Sequence, residues 1–317
     1  MKRILAFILL LTTVLNLCAC TGTPTTSTDT NTDTPTEQTQ PTEPEKSEAV
    51  TNIESLIEAL SKITTFNQET YKYITEIQTL YNKLSSAEQA QVENYTVFSS
   101  CIKTAATQID DAISNIGTVS TKNRQALIDA MKLYNAAPAE VQAYVTDAAT
   151  LKSAADTVAE SMLSTMYKEE DFVRNMAFYY HNQWPRGNKY WYADERCFPL
   201  PYLGKQNDNV WLRFVCNYTE DDWVFFESII FACDDQRFYK TFSYYDIVRD
   251  NDSGEVWEYI DMEVTAYEIK ILEAIANSEK TIIRFQGDDY SHDFTVTAKD
   301  KEAIRFTLDL YYLLGGK

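Results

Sequence analysis

Positive charge is what this chain of 317 residues most lacks: 28 Lys and Arg stand against 47 Asp and Glu, a formal net charge of −19. Nucleic-acid binding depends on cation-rich faces that neutralise phosphates, so that function class is excluded. Histidine is nearly absent, with only His181 and His292. Ser, His and Asp therefore meet at one place, Ser291-His292-Asp293. Successive residues of a strand point to opposite faces, so these three cannot converge as a catalytic triad. The segment Asp288 to Asp293 reads instead as a polar hairpin turn, with metal binding by Asp288, Asp289 and His292 as the lesser alternative. A long apolar run is missing as well. The stretch Ile4 to Leu17 falls short of the roughly 20 apolar residues that span a bilayer as a helix.

What that stretch does fit is an export signal, because Met1-Lys2-Arg3 supplies a basic head before the apolar segment. Leu17-Cys18-Ala19-Cys20 follows, and it resembles the lipobox of bacterial lipoproteins of the Gram-positive type. The resemblance implies a diacylglyceryl group on Cys20, cleavage after Ala19 and residence on the outer face of the cell membrane. Cys18 departs from the commoner Ala, Ser or Gly but is small enough to fit. Each buried methylene contributes about 0.8 kcal/mol, so two acyl chains hold firmly where one holds weakly. The expected signal peptide is 1–19.

Residues 20–50 are dominated by Thr, Pro, Ser, Asp, Glu, Gln and Asn. Such a segment offers too little apolar surface to offset the entropy of ordering and predicts a disordered tether. Fully extended, it would reach about 100 Å.

From 51 to 166 the periodicity becomes helical. Thr51 with Glu54 has capping-box spacing, as does Ser85 with Glu88. Ile53, Leu56, Ile57 and Leu60 share one helical face. An offset of about 53 residues brings Tyr81-Asn82 onto Tyr134-Asn135, Gln89-Ala90 onto Gln142-Ala143 and Val92 onto Val145. This pattern predicts two helical repeats, each hiding its apolar face against its neighbour. It resembles the helical repeats of secreted surface proteins, which serve as spacers or adhesion modules.

Residues 167–317 carry all five tryptophans. Val210 to Tyr218 and Trp223 to Cys233 alternate as two strands, and facing Arg213 with Glu227 gives one mainly apolar face. Val256 to Val264 predicts a strand, Thr265 to Ser278 a helix, and Thr281 to Phe285 with His292 to Thr297 a hairpin. A last helix is expected from Lys299 to Leu314. Strands and helices mix without β-α-β alternation. The predicted class is therefore multidomain: an all-α helical repeat region followed by an α+β domain with a mainly antiparallel sheet. This second part resembles C-terminal domains of other Gram-positive lipoproteins, from which no activity carries over. Cys101, Cys197, Cys216 and Cys233 match no zinc spacing. They are expected as buried free thiols, with a bridge involving Cys197 as the alternative that an extracytoplasmic compartment permits.

Two further groups of residues are candidates for binding. Tyr179, Tyr180, Trp184, Tyr190, Trp191, Tyr192, Phe198 and Tyr202 crowd together, mixed with Arg186, Asn188, Asp194 and Glu195. That density suits a compact aromatic core; exposed, Trp184, Tyr190, Trp191 and Tyr192 would suit a carbohydrate or peptide ligand. Asp250-Asn251-Asp252-Ser253-Gly254-Glu255 places oxygens at alternating positions, like part of a calcium loop. Asp250 and Asp252 would be its ligands, although the glycine falls one place early and the distal glutamate is missing. A solvated turn is the plainer reading, and no cofactor is expected. The function these features imply is non-catalytic binding at the cell surface, with a wall glycan or an envelope protein as partner. The alternative is an extracytoplasmic glycan hydrolase using Asp194 and Glu195, which would need paired carboxylates about 5–10 Å apart in a cleft.

Overall fold

The computed structural model describes residues 46–316 other than 122, 186–195 and 253. The expected signal peptide, Cys20 and the tether up to residue 45 lie outside the described residues.

Among the described residues seven helices come first: α1 (Glu48–Ser61), α2 (Gln68–Lys83), α3 (Ser86–Gln89), α4 (Tyr95–Ser114), α5 (Gln125–Ala136), α6 (Ala139–Gln142) and α7 (Ala148–Leu163). Helix α1 begins one turn earlier than Thr51 suggests, because Ser47 Oγ accepts the Val50 N–H as the N-cap. Val50, Ile53, Ile57 and Leu60 form its buried face, so the last residues assigned to the tether are already folded. Ser85 and Glu88 do form a reciprocal capping box at α3.

Strands β1 (Tyr167–Asp171), β2 (Met176–Tyr180), β3 (Phe198–Gln206), β4 (Asn209–Glu220), β5 (Ser228–Cys233), β6 (Gln236–Thr241), β7 (Val248–Asp252) and β8 (Glu255–Glu263) follow. Then come α8 (Ala266–Asn277), β9 (Thr281–Gln286), β10 (Ser291–Thr295) and α9 (Ala298–Leu313). One antiparallel sheet runs β1-β2-β3-β4-β8-β7 and a second runs β10-β9-β5-β6. The sheets meet through aromatic pairs, Phe214 with Phe231 at 5.9 Å and Tyr218 with Phe285 at 5.8 Å between ring centroids. Among the described residues no helix is long and apolar enough to cross a membrane.

The expectation of a separate all-α repeat region and a following α+β domain is overturned. Residues 46–317 form one compact unit, a mixed α/β body in which no helical repeat region stands apart. The reason is α9, which is buried almost all round through Ile304, Leu308, Leu310, Tyr312 and Leu313 and packs on α5, α7, α8 and β3. Asn135, matched in the sequence to Asn82, shows the difference. Asn82 is exposed, whereas the buried Asn135 side chain donates to the carbonyls of Tyr312 and Gly316 at 3.0 and 3.2 Å. Arg124 Nε to Asp309 Oδ2 at 3.0 Å and Lys132 Nζ to Glu273 Oε1 at 2.6 Å add two ion pairs across the same junction.

A second correction concerns the hairpin expected between Val210 and Cys233. Its two halves lie in different sheets: β4 pairs with β3 and β8, and β5 pairs with β6 and β9. Arg213 bonds Asp261 of β8 at 3.0 Å instead of facing Glu227. The cause is the loop between β4 and β5, whose amides are captured by a distant carboxylate. The remaining elements expected after 250 form within a residue of their predicted ends, except the last strand, which stops at Thr295, two residues before the expected Thr297. Thr265 serves as N-cap of α8 in a capping box with Glu268, and β9 pairs β10 around the Gly287 turn.

Candidate functional site

That carboxylate belongs to Glu258 on β8, which is fully buried. Its Oε1 accepts the N–H groups of Val224 at 2.8 Å and Phe225 at 2.6 Å, and its Oε2 accepts that of Phe226 at 3.0 Å. Arg249 of β7 completes the arrangement, with Nε 3.0 Å from Glu258 Oε2. A buried carboxylate so held is fully satisfied, and three amides plus a guanidinium balance the cost of taking it out of water. The same guanidinium donates to the carbonyls of Phe226 at 3.0 Å and Tyr244 at 2.9 Å. It also lies 4.3 Å from the centroid of the Tyr244 ring.

These bonds hold Phe225 at φ +50°, in the left-handed region that costs an L-residue about 1–2 kcal/mol. The strain turns an aromatic ring outward rather than inward. Phe225 is half exposed and stacks on Trp223, with centroids 5.3 Å apart and planes 13° from parallel. Tyr244 and Tyr245 stand edge to face at 5.7 Å, with Tyr245 92% exposed. Gly287 lies against the same loop, where a Cβ would collide with the carbonyl of Val224, and its turn carries the exposed Tyr290. The ion pair thus sets Phe225, with Trp223 stacked on it, on one side and Tyr244, with Tyr245 against it, on the other, while Tyr290 is exposed on the adjoining turn. Surface aromatics held by a buried ion pair present apolar area with little entropy left to lose. Composition alone could not reveal this ridge, because its residues come from three separate turns.

The aromatic cluster expected from the sequence is placed differently. Trp184 is only 5% exposed and packs against Tyr180, Phe198 and Tyr202 at 4.9, 5.4 and 5.6 Å. Tyr190, Trp191 and Tyr192, with Asp194 and Glu195, lie outside the described residues. Beside Trp184 an open cleft of about 680 Å³ is lined by Arg196, Thr297, Lys299 and Asp300 among others. Asp300 is the one carboxylate among those lining residues, and it is bonded to Arg196 at 2.7 Å.

Asp250 and Asp252 sit two apart on β7, an edge strand, and both are exposed. Asp250 Oδ1 accepts the N–H of Asn251 at 2.8 Å. Gly254 makes the turn at φ +96°, while Ser253 lies outside the described residues. In β10 the alternation works as expected: Asp293 pairs with Arg284 at 2.6 and 2.7 Å. His292 faces the other way, with its ring 5.2 Å from that of Tyr218.

There His292 meets partners that the sequence did not suggest. Among the described residues, the one group of three or more metal-type donors brought together is Cys197, Glu220 and His292. Cys197 precedes β3, Glu220 ends β4 and His292 belongs to β10, so the group bridges the two sheets. All four cysteines beyond residue 20 are free and buried. Burial pushes the Cys197 thiol up to about 11 despite the N–H of Thr219, which donates to its sulfur at 3.3 Å.

Comparison with protein-family models, with curated proteins and with solved structures finds no match for this chain.

Proposed function

We propose that the protein is a non-catalytic binding module, lipid-anchored through Cys20 on the outer face of the cell membrane, that holds a wall glycan against its aromatic ridge. The observation that carries this reading is Phe225. A strained, half-exposed phenylalanine kept in place by a buried Glu258–Arg249 pair costs stability for no gain in core packing, and such strain clusters at binding sites. Sugar rings present flat C–H faces, which stack on Trp223, Phe225 and the tyrosines, while the acidic surroundings offer acceptors to hydroxyl groups. The excess of acidic residues also repels anionic lipid headgroups, consistent with a body that stands away from the bilayer.

The test is co-sedimentation with isolated cell wall, followed by titration with soluble wall fragments monitored through the change in tryptophan fluorescence, which should be lost in Trp223→Phe. Loss of the Tyr245 ring by Tyr245→Ala is expected to weaken binding about tenfold, or about 1.4 kcal/mol. Unchanged binding in a Phe225→Gly/Tyr245→Ala double variant would rule the ridge out. For the anchor, Cys20→Ala is expected to leave the protein unprocessed or released into the medium. Continued acyl labelling of that variant would refute the assignment.

A further inference from the structure

We propose that Cys197, Glu220 and His292 form a site for one zinc(II) ion, which clamps the six-stranded sheet to the four-stranded sheet. The geometry carries this. The three donor atoms lie within 4.8 Å of one another, and His292 Nε2 is already 3.5 Å from Glu220 Oε1. Tetrahedral zinc with bonds of about 2.0–2.3 Å separates its ligand atoms by roughly 3.3–3.7 Å. The histidine–glutamate edge therefore needs no change, and the sulfur needs to close by roughly 1.1–1.5 Å at most.

The donor set points to the metal. One thiolate, one imidazole and one carboxylate form the mixed soft and borderline set that suits zinc, whereas calcium and magnesium take oxygen alone. The Thr219 N–H directed at Cys197 Sγ at 3.3 Å is the hydrogen bond a thiolate would accept. Glu220 at the end of β4 and His292 in β10 lie in strands fixed by sheet pairing, and Cys197 immediately precedes β3, whose pairing begins at Phe198. Glu220 is exposed and His292 half-buried, so an ion can enter from solvent, and a water molecule completes the fourth corner. Binding removes the Cys197 proton, which passes to solvent as the sulfur–metal bond forms.

The experiment titrates the metal-free full chain with cobalt(II) under reducing conditions, with Cys18 and Cys20 replaced by Ser throughout. One equivalent is expected to produce a thiolate-to-cobalt charge-transfer band in the near ultraviolet, and zinc is expected to bleach it. Cys197→Ser should abolish the band, and Glu220→Gln and His292→Gln should each weaken binding at least tenfold. Zinc should also raise the Tm of the parent protein and not that of the His292→Gln variant. Glu220 and His292 are not core residues, so these two variants decide the matter even if Cys197→Ser fails to fold. A missing thiolate band, a band that survives Cys197→Ser, or an affinity unmoved by Glu220→Gln and His292→Gln would overturn the proposal.

Discussion

Glu258 Oε2 lies 3.0 Å from Arg249 Nε, and through this contact strand β7 is joined to a loop it does not pair with. The carboxylate serves three consecutive amides of the 224–226 loop, while the guanidinium serves the carbonyls of Phe226 and Tyr244. The two charges are almost completely shielded from water. Removing one alone leaves the other buried without its partner, the costly case for an internal ion pair.

Glu258→Ala is therefore expected to destabilise the protein by about 3–5 kcal/mol. Urea denaturation checks this through a lower midpoint. A loss below about 1 kcal/mol would mean that water replaces the carboxylate at the three amides.

Phe225→Gly separates strain from function. Glycine adopts positive φ without cost, so relief of about 1 kcal/mol should offset much of the lost stacking on Trp223. Stability should stay within about 1 kcal/mol of the parent, whereas glycan binding should fall. Equal loss of both would make Phe225 a packing residue.

Helices and sheets should unfold together. All five tryptophans follow residue 167, so their fluorescence reports the sheet-rich part, while far-ultraviolet circular dichroism is weighted to the helices. Coincident transitions are expected from a single body. Asn135→Ala, which removes the buried bonds to Tyr312 and Gly316, should cost about 1–3 kcal/mol without splitting them. Two separated transitions in the parent protein would show that the helices fold on their own.

Glu268 predicts an acid dependence. Burial acts to raise its carboxyl, but Lys240 Nζ at 2.6 Å and the Thr265 hydroxyl and N–H outweigh it, so the carboxyl ends below its ordinary 4.5. A depressed carboxyl stabilises the fold above the unfolded-state value and loses that contribution as pH falls through the folded-state value. Stability from this group should be complete near neutrality and be lost progressively as pH falls below about 4.5. The measurement is the pH dependence of unfolding, in which Glu268→Gln should lower stability at pH 7 and flatten the acid limb.

How much of this was legible in the sequence follows from the range of the interactions. Helix α8 and the β9–β10 hairpin were readable because Thr265 with Glu268, and the Gly287 turn with its flanking alternation, act over a few residues. The strand expected to begin at Trp223 failed because its first amides are bonded by Glu258, more than thirty positions away. The match of Asn82 to Asn135 gave no hint that only the second would be buried against α9. Cys197, Glu220 and His292 share no local spacing, and only the folding of two sheets together makes them neighbours. Trp184 was legible as a member of an aromatic core, while the exposed ridge depends on a single backbone angle at Phe225.

At the first of the described residues, Lys46 Nζ bonds Glu54 of α1 at 2.8 Å and Glu93 at 2.9 Å, and Ser47 Oγ reaches Glu88 at 3.0 Å. A pull arriving from the preceding residues would thus be divided at once among α1, α3 and the turn before α4. Those attachments fail one by one only if α1 peels from its end, whereas a load shared sideways must break them together. Mechanical resistance at this seam is set by three surface carboxylates, and it should weaken in strong salt even while the rest of the molecule stays folded.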